Sequence, residues 1–282
     1  MNRITIATIQ PPVFAEKSSE HHTRIIEAGL GYLKEALQAG AELCCLPEYF
    51  NVFGVAEPEM QALATNADDL LDRTQALAGQ HGGYIILPVL MQEQGRFLNR
   101  AYLIGPDGAV AGYYDKTHPT LGEKERLAVT PGNEITVFET DHGRLAIVIC
   151  YDIYFPELFA TLTLHKPDVI FFPSLQRSDH EMASEAILKT RAMDTKAYVV
   201  RSSYGCPVDL PWKAGMMFGQ SCIVHPDGTM LANAGHYEGL ALVRTPIPFH
   251  WQRQRCGGYP AMGVRDFLQE DRRPDLYEDL GE

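Results

Sequence analysis

Short β-branched and aliphatic runs alternate with longer amphipathic stretches as far as Leu90, and the pattern then changes to strand pairs around tight turns. That alternation constrains the fold most, because strand–helix–strand units need both faces of a sheet covered, whereas hairpins do not. Residues 4–10, 43–46 and 84–90 read as strands. Residues 23–38 read as a helix with Ile25, Ile26, Leu30, Leu33 and Leu37 as its apolar positions, and 67–78 as a second, with Asp68 and Asp69 favourable near its N-terminus. Strands at 99–104 and 110–114 flank Gly105-Pro106-Asp107-Gly108, and strands at 135–140 and 144–149 flank Asp141-His142-Gly143. A helix at 156–165 opens on Pro156, where the missing N–H costs little. A strand at 169–172, a helix at 181–193 and a strand at 198–202 follow. Strands at 221–225 and 230–232 then repeat the hairpin chemistry around Pro226-Asp227-Gly228, before a last strand at 240–245.

Two Pro-Asp-Gly hairpins fit two similar halves, and equally fit a common turn used twice. Neither half is preceded by a linker, so residues 1–282 read as one domain. Mixed βα units and hairpins in one domain imply an α/β fold: two mixed sheets packed face to face, flanked by helices. The stretch from about 247 to 282 is rich in Arg, Pro and Gly and reads as an extension packing on the body or on a partner subunit.

Composition narrows the function classes. Apolar residues make up 45% of the chain, enough for a sizeable core. A formal charge of −12 argues against binding a phosphate backbone, so no nucleic-acid partner is expected. The N-terminal residues alternate polar and apolar without a signal-peptide core, and no apolar run approaches the ~20 residues of a membrane span. The six cysteines lack C-x-x-C pairing and read as free thiols in the cytoplasm. No His/Cys cluster has zinc-ligand spacing, so neither metal nor cofactor is expected.

Three segments carry candidate chemistry, each at the end of a strand. Ile147-Val148-Ile149-Cys150-Tyr151-Asp152 places a thiol at a strand-to-helix elbow, where backbone N–H groups of the next turn can face an attacked carbonyl. Cys44-Cys45-Leu46-Pro47-Glu48 puts a carboxylate just past a buried strand, the position of a general base if apolar surroundings raise its pKa. Tyr113-Tyr114-Asp115-Lys116-Thr117-His118 follows the first hairpin with a lysine that can stabilise an oxyanion. Taken singly, each is as readily a structural thiol, a loop glutamate or a surface lysine.

Taken together and in this order, the segments resemble the nitrilase, or carbon–nitrogen hydrolase, superfamily over nearly the whole chain. Leu46-Pro47-Glu48, Asp115-Lys116-Thr117-His118, Thr130-Pro131-Gly132-Asn133, Cys150-Tyr151-Asp152, Phe155-Pro156-Glu157, Arg191-Ala192-Met193, Gly219-Gln220-Ser221 and the closing Arg-Arg-Pro-Asp-Leu-Tyr carry the resemblance. It implies a four-layer α-β-β-α sandwich that pairs into an eight-layered homodimer or higher homo-oligomer. It also implies roles: Cys150 as nucleophile, Glu48 as general base, Lys116 as oxyanion holder and the N–H of Tyr151 as second donor. Members carry a further glutamate before the Pro-Gly segment; counting six residues back from Pro131 selects Glu125 over Glu123.

Cys-Tyr-Asp resembles the amidase and N-carbamoylase branches, which implies a small amide or N-carbamoyl substrate and water, with nitrile hydrolysis or acyl transfer to an amine as alternatives. Branches acting on carboxylate-bearing substrates place an arginine shortly after the nucleophile; this chain has Ile153 and Tyr154 there. Ser174 and Arg177 follow another strand and border the expected pocket, Arg177 being a candidate replacement anchor. Tyr49, Phe53, Tyr154 and Trp212 are candidate apolar walls. The rival readings are a Cys–His hydrolase using His118 and a non-catalytic assembly module.

Overall fold

The structure, a computed structural model, describes residues 3–65, 68–175, 181–213, 219–247 and 251–277. In the first sheet β1 (Arg3–Gln10), β2 (Leu43–Cys45) and β3 (Tyr84–Glu93) run parallel; β4 (Arg96–Ile104) and β5 (Val110–Asp115) continue antiparallel beyond β3. In the second, β7 (Gly143–Ile147), β8 (Val169–Pro173) and β9 (Tyr198–Ser202) run parallel, followed by antiparallel β10 (Cys222–Val224) and β11 (Met230–Asn233). Each sheet is closed on its other edge by an antiparallel strand: β12 (Gly239–Pro246) beside β1, and β6 (Val137–Thr140) beside β7. Strand for strand the sheets have one topology, and the two Pro-Asp-Gly turns join equivalent pairs, β4–β5 and β10–β11. Even the register irregularity recurs, at Leu103/Ile104 and at Ile223/Val224. Of the two readings of that repeat, two similar halves is the one the sheets display.

Alternation along the strands sorts side chains into layers. Ile4, Ile6, Leu43, Cys45, Ile86 and Leu103 of the first sheet meet Leu145, Ile147, Val169, Phe171, Tyr198 and Val200 of the second in one buried cluster. The opposite faces, Ala7, Ile9, Cys44 and Leu87 on one sheet and Ala146, Ile170, Phe172 and Val199 on the other, are covered by helices. Cys44 and Cys45 thus point into different layers.

Helix α1 (Ser19–Gln38) covers the first sheet with Ile25, Ile26, Leu30, Leu33 and Leu37, each worth about 1.5–3 kcal/mol if fully buried. It begins earlier than the apolar spacing predicts, because Ser18 Oγ caps it by accepting the His21 N–H at 3.1 Å. Helix α2 (Glu57–Ala64) is a short helix the sequence reading missed, while α3 (Asp68–His81) runs a turn beyond its expected end. The single-turn α4 (Leu121–Arg126) was also missed, with consequences for the site. Helices α5 (Pro156–His165) and α6 (Glu181–Thr195) cover the second sheet. The architecture is the expected α-β-β-α sandwich.

Beyond Ile247, a two-stranded ribbon, β13 (Gln252–Arg253) with β14 (Met262–Gly263), leads to α7 (Asp266–Glu270). Arg265 donates to Asp168 Oδ1 at 2.8 Å and to the Lys196 carbonyl, and Lys166 pairs with Asp266 at 2.9 Å. These contacts tie this part of the extension to the loops ahead of β8 and β9.

At the centre of the sandwich the two sheets exchange hydrogen bonds. Thr8 Oγ1 of β1 donates to the Arg201 carbonyl of β9, and Ser202 Oγ of β9 donates to the Ile9 carbonyl of β1, both at 2.6 Å. Thr8 is fully buried, so Thr8→Val keeps the shape and removes a donor that the interior does not replace. The expected cost is about 1–3 kcal/mol, seen as a lower urea midpoint with unchanged slope. An unchanged midpoint contradicts it.

Candidate active site

The site caps one end of the inter-sheet core, where the inward-facing side chains turn from apolar to charged. Glu48 lies three residues past β2, Lys116 immediately past β5, and Cys150 at the start of a 3-10 turn (Cys150–Tyr154) that follows β7. Lys116 Nζ donates to Glu48 Oε1 at 2.9 Å and reaches both oxygens of Glu123, on α4, at 2.9 and 2.8 Å. Asn99 Nδ2 donates to Oε1 of both glutamates, at 2.8 and 3.0 Å, and the Tyr49 hydroxyl donates to Glu123 Oε1 at 2.6 Å. Glu48 Oε2 accepts the Leu175 N–H at 3.0 Å, and the Cys150 thiol lies close enough to the same carboxylate for the two to perturb each other's protonation.

The nucleophile elbow is strained and braced. Cys150 has φ 47°, a left-handed conformation that costs a non-glycine residue about 1–3 kcal/mol. The brace is Asp152, completely buried, whose Oδ2 accepts the Ile149 N–H at 2.8 Å and the Tyr114 hydroxyl at 2.8 Å. Its Oδ1 accepts the His118 N–H at 3.0 Å and the Thr117 hydroxyl at 3.2 Å. One carboxylate therefore holds both the cysteine turn and the loop that carries Lys116. His118 Nδ1 also contacts Asp152 Oδ1, at 3.0 Å, and the ring stacks on Phe155 with centroids 3.7 Å apart. His118 thus rests against Asp152 and Phe155, and the carboxylate that perturbs the thiol is Glu48.

Burial sets the protonation states. It raises the Glu48 carboxyl above its usual range despite Lys116 alongside. Burial opposes the charge on Glu123 as well, but Lys116, Tyr49 and the Thr120 N–H outweigh it and hold that carboxyl low. Burial, and then the neighbouring Glu48 anion, push the Cys150 thiol up. Lys116, which burial alone would lower, is raised by Glu48, Cys150 and Glu123 around it. The resting site accordingly holds a neutral thiol beside a carboxylate that is a stronger base than usual.

Above these groups opens a cavity of about 430 Å³, with Glu48, Lys116, Glu123 and Cys150 in its lining and apolar walls from Val52, Phe53, Val55, Met60 and Leu127. Tyr49 and Phe53 line it as expected, and so does Leu175, the neighbour of fully buried Ser174. Tyr154 is 37% exposed and does not line the cavity; Trp212 stacks on His236 instead. Tyr151 follows Cys150 directly, its side chain turned out at 39% exposure. Arg177 lies outside the described residues. Among the described residues no group of three or more His, Cys, Asp or Glu could hold a metal ion.

The carbon–nitrogen hydrolase family model matches residues 5–247. The chain belongs to that family. Its activity is the hydrolysis of carbon–nitrogen bonds other than peptide bonds. The deaminated glutathione amidase of Mus musculus is 29% identical over 265 residues, covering 88% of this chain and 78% of the relative. Omega-amidase NIT2 of Xenopus tropicalis is 28% identical over 241 residues, covering 79% and 86%. The fold matches an amidase of the nitrilase superfamily from Nesterenkonia with a TM-score of 0.75 at 21% identity, over 99% and 97% of the two chains. It also matches the NitFhit protein of C. elegans, with a TM-score of 0.77 at 23% identity over 98% of this chain and 66% of that one.

Among the expected catalytic residues one is displaced. Glu125 is exposed on α4, and Glu123 occupies the cluster. The reason is a capping box: Thr120 Oγ1 accepts the Glu123 N–H at 3.2 Å, and Glu123 Oε2 accepts the Thr120 N–H at 2.7 Å. Two positions further along a helix a side chain points some 200° away, which takes Glu125 into solvent. The pattern Thr120-Leu121-Gly122-Glu123 was the legible signal. Glu123→Gln should lower kcat by about tenfold or more, because it removes one of the two carboxylates that hold Lys116 charged and in place. Glu125→Gln should match the wild type; steady-state kinetics of both distinguish the two residues, and the reverse result refutes the assignment.

Proposed function

We propose that the protein is an amidase that splits small amides through a Cys150 thioester. The observation that carries this reading is the contact of one buried carboxylate, Glu48, with both Lys116 and Cys150 in the lining of a single cavity. The relatives' names are those of amidases, which favours an amide over a nitrile or N-carbamoyl bond.

In this mechanism Cys150 Sγ attacks the amide carbon while its proton passes to Glu48. Lys116 Nζ and the Tyr151 N–H hold the oxyanion, each such donor being worth about 2.7–4 kcal/mol in comparable acyl transfers. The tetrahedral intermediate collapses with cleavage of the C–N bond, and Glu48 returns the proton to the departing nitrogen. Glu48 next takes a proton from water, the hydroxyl attacks the thioester, and collapse of that adduct returns the proton to the thiol. Glu123 keeps Lys116 charged and placed. An amine arriving in place of water would give acyl transfer, so product analysis with added amine separates the two outcomes.

The apolar walls suit a short hydrocarbon acyl chain, and the mouth suits an anionic far end. The arginine that related branches place after the nucleophile is missing, yet Lys17 lines the cavity and has no ion-pair partner among the described residues. Its position is fixed by the Ser18 N–H donating to the Gly54 carbonyl at 3.0 Å and by His22 Nδ1, 2.8 Å from the Phe53 carbonyl. Of the other lining cations, Lys116 is bound to Glu48 and Glu123, and Arg126 is paired with Glu57 at 3.0 Å. The same reading takes the enzyme as cytoplasmic, consistent with free thiols at all six cysteines, and as a homodimer or higher homo-oligomer.

Cys150→Ala should abolish ammonia release from small amides while leaving the fold intact by circular dichroism; retained turnover sinks the mechanism. Because burial raises the Glu48 carboxyl and the base must be ionised, kcat/KM should rise with pH along a limb above the ~4.3 of a free glutamate. Lys17→Met should raise KM for amides with a distal carboxylate by about tenfold and leave neutral amides unaffected. Equal effects on both classes would remove Lys17 from substrate recognition.

A further inference from the structure

Asn99 touches both carboxylates of the site yet does not line the cavity, and it is 1% exposed. Its Nδ2 spends both hydrogens on them, one on Oε1 of Glu48 and one on Oε1 of Glu123. Lys116 Nζ bonds to the same two oxygens, so the four groups close a ring in which each Oε1 receives Lys116 and Asn99, Glu123 Oε1 taking the Tyr49 hydroxyl as well. The Asn99 carbonyl accepts the Lys116 N–H at 2.9 Å, which holds the lysine's backbone from the same residue. Asn99 Oδ1, in contrast, is buried without a hydrogen-bond partner. An orphaned buried acceptor is costly, and a native structure that keeps one calls for a reason. Turning the amide over would satisfy nothing, since it would set an oxygen against two carboxylates.

We infer that Asn99 is the positioning residue for proton transfer: with Lys116 it occupies Oε1 of Glu48, leaving Oε2 as the oxygen that serves the Cys150 thiol. This rests on Glu48 being the base. Oε2 carries one backbone donor, the Leu175 N–H at 3.0 Å, and so retains a lone pair for the proton. Without Asn99, Oε1 would keep a single donor, the ionised carboxylate would be less favoured, and its plane would be free to turn. The other groups facing Glu48 are Lys116 beyond β5, Glu123 on α4, Cys150 beyond β7 and the Tyr49 phenol beside it. All of these remain when Asn99 is replaced.

The test uses Asn99→Leu, of similar shape with no donor, and Asn99→Ser, with one. Since a donor to the ionised form favours it, losing that donor moves the acid limb of kcat/KM to higher pH. The plateau kcat should fall about tenfold or more with KM little changed, and Ser should recover part of the loss. A merely structural residue would lower the thermal midpoint without moving the limb. Folded variants with the wild-type limb, alongside an inactive Glu48→Gln, overturn the role of Asn99 and spare Glu48 as base; an active Glu48→Gln removes the base itself. If neither Asn99 variant folds, the wild type decides: the Asn99 side-chain amide resonance should titrate with the acid limb, and a resonance that stays fixed through it overturns the inference.

Discussion

One buried lysine between two buried carboxylates is the interaction on which the rest of this structure depends. Lys116 is 1% exposed, Glu48 2% and Glu123 7%, and the trio carries one more negative charge than positive. Removing such charges from water costs several kcal/mol each, which a single ion pair repays only with good geometry and further hydrogen bonds. The surroundings supply them: Asn99 and Tyr49 from the side, the Leu175 and Thr120 N–H groups from the backbone. Each donor sits on a different element, so the cluster can form only when β2, β4, β5, α4 and the end of β8 are all in place. Burial first, and then the Glu48 anion, keep the thiol protonated, which is why a general base is needed at the moment of attack.

Much of this was legible in the sequence. Strand alternation and turn chemistry gave the sheets to within a few residues, because buried β-branched runs bounded by Pro-Asp-Gly or Asp-His-Gly have few other ways to fold. Glu48, Lys116 and Cys150, each at a strand end and ambiguous singly, were legible through their joint order and the family resemblance it carries. What escaped was short or tertiary. Helices α2 and α4 are too brief for a periodic signal, and counting back from Pro131 through unrecognised helix put Glu125 where Glu123 belongs. Asp152 was read as part of a motif, yet its work of joining the cysteine turn to the Lys116 loop depends on contacts about 35 residues apart in sequence. Lys17 and Asn99 had no motif at all; Lys17 reaches the cavity through the docking of α1 on the 52–55 wall.

Two sheets of one topology hold a single site. Ile6 pairs with Leu43 as Leu145 pairs with Val169, so counting forward aligns Pro47 with Pro173 and Glu48 with Ser174. Leu103 pairs with Gly112 and Ile223 with Ala232, which aligns Lys116 with His236 and Asn99 with Gly219. The same count sets Pro11 opposite Cys150. Base, lysine, amide and nucleophile are therefore each absent from the matching position of the other half. The matching positions, drawn like the site from both sheets, instead help to hold the sandwich together. Gln10 Nε2 donates to the Gly235 and Tyr237 carbonyls, Gln10 Oε1 accepts the Ser221 N–H, and the Gly205 N–H donates to the Pro11 carbonyl. Gly205 is required there, since a Cβ would lie 2.5 Å from the Tyr237 backbone. The halves thus share a topology and both supply the site, Glu48, Asn99 and Lys116 from the first sheet and Cys150 from the second, while the equivalent positions are closed by hydrogen bonds between the sheets.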